Sequence, residues 1–156
     1  MLQVDIRELR RGPVETVGQL RADDPTLREL ELELLGPVAV DGKLQAAGDS
    51  EFLWRGHIAA TVHATCRRCL AEVEVPVATE VGVMFSTDPE AVDDPSVYPL
   101  SLPLGQIDVR EAVREELALA VPPFVLCRED CAGLCPGCGA DLNAGPCGCT
   151  APAEPH

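Results

Sequence analysis

Lysine is almost missing from this 156-residue chain: Lys43 stands alone, and every other basic side chain is an arginine. Twelve basic residues face 26 acidic ones, for a formal charge of −14. Proteins that grip nucleic acid without regard to sequence neutralise phosphates with a basic face. The basic patches here are small, Arg7, Arg10 and Arg11 in one and Arg67 and Arg68 in another, so binding of that kind is disfavoured. The acidity favours a basic protein partner, because opposite fields steer association; it also keeps a protein soluble. Aromatics are scarce as well, with one Trp, one Tyr and three Phe, so the core must be built from Val, Leu and Ala. No apolar run approaches the ~20 residues of a membrane span. The opening MLQVDIRELRRG carries charges where a signal peptide needs an apolar segment. The expectation is a cytoplasmic protein, away from membranes, with reduced thiols.

What the chain does contain is period-two patterning. FLWRGHIAATVHATC and LAEVEVPVATEVGVMF read as strands, with Val73, Val75 and Val77 on one face and Pro76 suited to an edge or a bulge. LQVDIR reads as a short strand, and residues 11–25 read as a loop. In LRELELELLG the leucines 30, 32 and 34 alternate with Glu29, Glu31 and Glu33, which predicts another strand. Asp41-Gly42 signals a hairpin turn. IDVREAVREELALAVPP predicts a helix, with Asp108 as N-cap, Glu111 three residues on, and Val109, Ala112, Val113, Leu117 and Ala120 on one stripe. Pro122 and Pro123 end it. The predicted organisation is a mainly β region over 1–85 carrying a CxxC hairpin, an acidic, proline-rich loop over 86–106, a helix packing on the sheet over 107–126, a zinc-binding module over 127–149 and a frayed tail over 150–156. The fold class is α+β: a mainly antiparallel sheet or open barrel, one principal helix and a C-terminal cysteine-rich zinc module.

Eight cysteines carry the chemistry. Cys66-Arg-Arg-Cys69 lies between two alternating segments, at the tip of a hairpin. A redox CxxC wants its first thiol at a helix N-terminus; a CxxC in a tight turn aims both sulfurs one way, as a zinc knuckle does. Cys135-Pro-Gly-Cys138-Gly139 is a second knuckle, and Cys147-Gly-Cys149 is a tighter pair beyond it. Structural zinc takes four such ligands and keeps no open position. One grouping closes Cys135, Cys138, Cys147 and Cys149 into a local site, leaving Cys66, Cys69, Cys127 and Cys131 for a second that ties the hairpin tip to the segment after the helix. The rival grouping joins Cys66 and Cys69 to Cys135 and Cys138. Both groupings predict two Zn(II) ions per chain in a structural role.

Other chemistries match less well. Cys131, Cys135 and Cys138 have the C-x3-C-x2-C spacing of an iron–sulfur site, but more thiols stand nearby and the surrounding pattern differs. His57 and His63 sit in strands without the H-x-E pattern of nucleobase deaminases, and no nucleophile elbow, phosphate loop or dinucleotide fingerprint is present. A metal-dependent or thiol-redox enzyme acting on RNA or thiols is the alternative reading. Arg67 and Arg68 are the place for a weak RNA contact, against which stands salt bridging to Glu72.

ATCRRCLAEVEVPV, the helix IDVREAVREELALAVP, then LCREDCAGLCPGCGADLN and CGC occur in an order that resembles the YceD family, the large ribosomal RNA subunit accumulation proteins. The resemblance implies support of large-subunit ribosomal RNA accumulation, hence a role in ribosome biogenesis, and the lack of an acid–base pair near any cysteine favours a non-enzymatic one. Joined to the acidity, it implies a basic ribosomal protein or pre-ribosomal particle as partner.

Overall fold

The computed structural model describes residues 2–100 and 103–147. Its centre is one long hairpin. Strands β6 (Glu51–Thr65) and β7 (Glu72–Ser86) pair antiparallel over their whole length, from Glu51↔Ser86 to Thr65↔Glu72. Period two decides the buried face: Phe52, Trp54, Ile58, Ala60 and Val62 from one strand, and Val77, Val81, Val83 and Phe85 from the other. On its other side β6 pairs first with β5 (Val38–Ala46) and then with β4 (Glu33–Leu34). β2 (Val14–Glu15) and β3 (Gly18–Leu20) share the outer edge of β5. Beyond β7 lies β8 (Val97–Pro99), which pairs parallel to residues 84–86. The seven-stranded sheet runs open from β2 to β8 and is antiparallel except at that last edge.

A second, two-stranded sheet joins β1 (Gln3–Asp5) to β9 (Gln106–Asp108). One turn of helix, α1 (Ile6–Leu9), follows β1. The principal helix, α2 (Arg110–Ala120), follows β9. Ala112, Val113 and Leu117 on α2, with Val109 just before it, are fully buried, and the helix packs on β7. Among the described residues no helix is long and apolar enough to cross a membrane.

Several expectations need correction. Asp41-Gly42 does not turn the chain; β5 continues through it with Gly42 opposite Gly56, and the reversal comes later, where Ala47 N–H donates to the Glu51 carbonyl at 2.8 Å. Of the Leu/Glu stretch only Glu33–Leu34 is paired as strand, yet the alternation holds in its burial: Leu30, Leu32 and Leu34 pack on the core while Glu29, Glu31 and Glu33 are exposed. The segment 11–25 contains β2 and β3. Within 86–106, Tyr98 of β8 is buried, its ring 5.4 Å from that of Phe85. Asp108 sits one residue ahead of the N-cap position, which is Val109; its carboxylate still accepts from Arg110 N–H at 2.9 Å and from the Arg110 guanidinium at 2.7 Å. Pro76 lies where β7 has a paired strand only on its β6 side, as an edge proline should.

Candidate metal centre

The hairpin turn between β6 and β7 is a knuckle. Cys66 N–H donates to the Ala71 carbonyl at 2.8 Å, and Leu70 N–H donates to the Cys66 carbonyl at 2.9 Å. The segment after α2 builds the same device: Cys135 N–H donates to the Ala140 carbonyl, and Gly139 N–H to the Cys135 carbonyl, both at 2.8 Å. Each knuckle needs left-handed backbone at the residue after its second cysteine. Gly139 adopts φ +75 without cost, but the first knuckle places Leu70 there at φ +64. Left-handed backbone at a residue with a Cβ costs about 1–2 kcal/mol, and Leu70 is the sole non-glycine with positive φ among the described residues.

Four thiols meet at the first knuckle. Cys66 and Cys69 come from the hairpin tip, Cys127 and Cys131 from the chain that leaves α2, and their sulfurs all lie within 4.8 Å of one another. Cys66 Sγ is 3.7 Å from Cys131 Sγ, and Cys69 Sγ is 3.6 Å from Cys127 Sγ. A tetrahedron of zinc–sulfur bonds of ~2.3 Å has sulfur–sulfur edges of about 3.8 Å, so this donor set and its spacing fit a tetrahedral thiophilic metal. Cys66, Cys69 and Cys131 are buried, and Val73, Leu126 and Leu134 pack around them. A second cluster holds Cys135, Cys138 and Cys147, with Cys147 Sγ 3.4 Å from Cys135 Sγ. Cys149, expected as its fourth member, lies outside the described residues. Of the two groupings, the structure forms the local one. It also splits Cys131 from Cys135 and Cys138, so the iron–sulfur spacing is divided between two clusters.

Local backbone N–H groups favour the thiolate at one cysteine of each knuckle, Cys66 and Cys135. The Cys69 N–H, aided by other backbone donors, outweighs burial and draws the Cys66 thiol down to about 6. N–H groups of Cys138 and Gly137 do the same for Cys135, also to about 6. Hydrogen bonds to the neighbouring sulfurs of Cys131 and Cys69 push Cys127 up to about 12. Such a spread is what crowded thiols show when a first thiolate is favoured and a further negative charge is opposed.

Asn143 and Arg68 brace Cys131 of the first cluster, and Arg67 packs beside it. Asn143 Nδ2 donates to Cys131 Sγ at 3.3 Å, while its Oδ1 accepts from Ala132 N–H at 2.8 Å and from the Arg128 guanidinium at 2.6 Å. Asn143 therefore links the loop of the second cluster to a sulfur of the first. Nothing in the turn-rich ADLNAGP separates this asparagine from an ordinary turn residue. Arg68 Nη1 donates to the Cys131 carbonyl at 3.0 Å, and the Arg67 guanidinium lies over the Phe124 ring, 3.9 Å from its centre. The expected pairing of these arginines with Glu72 is not formed; Glu72 instead approaches His63 Nε2 at 3.9 Å, and Glu33 pairs with His63 Nδ1 at 2.9 Å. His57 and His63 are strand residues, as expected.

Residues 54–155 match the family described as large ribosomal RNA subunit accumulation protein YceD. An uncharacterized protein of Mycobacterium leprae is 26% identical over 152 residues, covering 91% of this chain and 68% of the relative. Uncharacterized proteins of Mycobacterium tuberculosis and Mycobacterium bovis are each 29% identical over 154 residues, covering 93% of this chain and 72% of the relative. No solved structure matches the chain. The family match spans the Trp54 hairpin, α2 and the described thiols of both clusters, and the chain belongs to the YceD family of large ribosomal RNA subunit accumulation proteins.

Proposed function

We propose that this chain is a non-enzymatic ribosome-biogenesis factor of the cytoplasm. It supports accumulation of large-subunit ribosomal RNA by holding a basic ribosomal protein, or a pre-ribosomal particle that presents one, on an acidic scaffold. The observation that carries this reading is the family match over residues 54–155; the charge of −14 supports a basic partner. Two Zn(II) ions serve as clamps, one held by Cys66, Cys69, Cys127 and Cys131, the other by Cys135, Cys138, Cys147 and Cys149. Four thiolates fill the zinc coordination sphere and leave no position for a reacting water, which makes each ion structural. Any RNA contact falls to Arg67 and Arg68 at the hairpin tip, and it is weak, because both guanidinium groups are already engaged.

The test is genetic and chemical. In cells depleted of the chain, large-subunit RNA falls relative to small-subunit RNA and recovers with the wild-type chain; an unchanged ratio rejects the ribosomal role. Native mass spectrometry of the purified chain shows two zinc ions and no reactive thiols. One zinc with four reactive thiols would reject the second clamp and favour thiol-redox chemistry.

A further inference from the structure

Beside the first knuckle runs an open groove of about 530 Å³. One wall is the end of β6 with the knuckle, the second is Val121–Val125, and the third is Glu31–Glu33. Two apolar side chains on its lining are unusually exposed, Leu70 at 62% and Phe124 at 64%. Leu70 is the more informative. The equivalent position of the other knuckle is glycine, and glycine serves the left-handed backbone without strain. A leucine here opposes stability twice, by its backbone and by its exposed apolar surface. Neither is needed to close the knuckle. Strain retained at an exposed residue points to a ligand contact.

Charge identifies the occupant. The rim carries Glu31 and Glu33, with Glu72 close by against His63. The one arginine in the groove, Arg67, is laid on the Phe124 ring, which fixes both side chains in place. β4 pairs with β6 only as far as Glu33↔His63, so Ala64 and Thr65 run past it into the groove with no described strand opposite them on that side. An apolar floor with an acidic rim suits an extended cationic segment that lowers one large apolar side chain between Leu70 and Phe124.

We infer that this groove is the docking site for a lysine- and arginine-rich segment with an apolar anchor, belonging to the basic protein partner. The inference rests on the reading above and deepens it. Leu70 and Phe124 form the anchor pocket, and Glu31 and Glu33 steer the segment in.

The experiment uses the full zinc-loaded chain and the basic proteins stripped from purified large ribosomal subunits, freed of RNA by nuclease. Variants are Leu70→Gly, Phe124→Ala and the double change Glu31→Gln with Glu33→Gln. Leu119→Ala, exposed on α2 outside the groove, is the control. Leu70→Gly keeps its zinc and a denaturation midpoint no lower than wild type, because glycine suits φ +64, yet binds about tenfold more weakly, as loss of a central anchor does. Phe124→Ala weakens binding similarly, the double change slows association, and the control binds like wild type. If wild type and Leu70→Gly bind equally well, the groove assignment falls while the basic partner stands. If wild type binds none of the stripped proteins, the partner reading falls and takes the groove with it. If Leu70→Gly loses only naked large-subunit RNA, or only a concentration-dependent dimer, the occupant is a different molecule and the inference is overturned.

Discussion

Gly42 and Gly56 face each other across β5 and β6, beneath the indole of Trp54. A Cβ on Gly42 would stand 2.7 Å from Trp54 Nε1 and 2.8 Å from the Arg55 carbonyl oxygen; one on Gly56 would stand 2.9 Å from Trp54 Cζ2. The ring cannot move aside. Trp54 is fully buried, and its Nε1–H donates to Thr16 Oγ1 at 2.8 Å, while Thr16 N–H donates to the Gly42 carbonyl at the same distance. A buried indole N–H without that acceptor would carry an unpaid desolvation cost of about 1–3 kcal/mol. Gly42→Ala is therefore expected to destabilise the fold by about 1–3 kcal/mol, the usual cost of overpacking. Gly82→Ala, also in a strand but with open space around it, should stay within about 0.5 kcal/mol of wild type. Urea denaturation of the two variants separates the clash from the change in backbone propensity; equal losses would refute the packing account. This is also where the sequence misled. Asp-Gly is a strong turn signal, but glycine in a strand can equally mark a close approach. The group that approaches here lies on the neighbouring strand, and nothing near position 42 announces it.

At the scale of elements, the two knuckles share one hydrogen-bond pattern but join different things. The first ties the tip of the β6–β7 hairpin to the chain leaving α2, helped by Arg67 N–H donating to the Val125 carbonyl at 2.8 Å. The second closes a loop within its own segment. Removing a ligand from each should therefore have unequal effects. Cys66→Ser is expected to lose one zinc ion, release the segment from residue 121 onward and lower the melting temperature by about 10 °C or more, since structural zinc contributes folding free energy directly. Cys138→Ser should lose one zinc ion as well, yet leave the transition of the sheet within about 3 °C of wild type. Metal counting by native mass spectrometry, with thermal melts read by circular dichroism, checks both; equal shifts would mean that the clusters act as one unit. The hairpin, α2 and both knuckles were legible because their patterns are long or chemically specific. β2, β3 and β8 were not, because no alternating run marks these two- and three-residue strands as LQVDIR marks β1, and the edges of β5 and β7 impose their pairing. The cysteine grouping was also open, because it depends on where α2 delivers Cys127 and Cys131, and no spacing encodes that.

For the whole molecule, charge is the property that the fold leaves unspent. Trp54, Leu44, Ile58 and Leu117 are buried while none of the acids among the described residues is, and the chain carries a formal −14. Ion pairs use some of it: Arg114 alone meets Glu29, Glu111 and Glu115, at 3.2, 3.7 and 3.6 Å. Those pairs are mostly solvated and contribute little to stability. The remaining field acts over distance, and its reach is set by salt, about 30 Å at 0.01 M ionic strength and about 8 Å at 0.15 M. If the proposed partner is a basic ribosomal protein, its association rate should fall about tenfold or more across that range, while the dissociation rate, governed by contacts such as those at Leu70 and Phe124, should change much less. Surface-immobilised chain and stripped large-subunit proteins, measured by stopped buffer exchange at several salt concentrations, give both rates. A flat association rate would mean that the acidity serves solubility alone and that recognition is apolar. A dissociation rate carrying most of the salt dependence would place the decisive ion pairs inside the interface, at Glu31 and Glu33, and not in the long-range field.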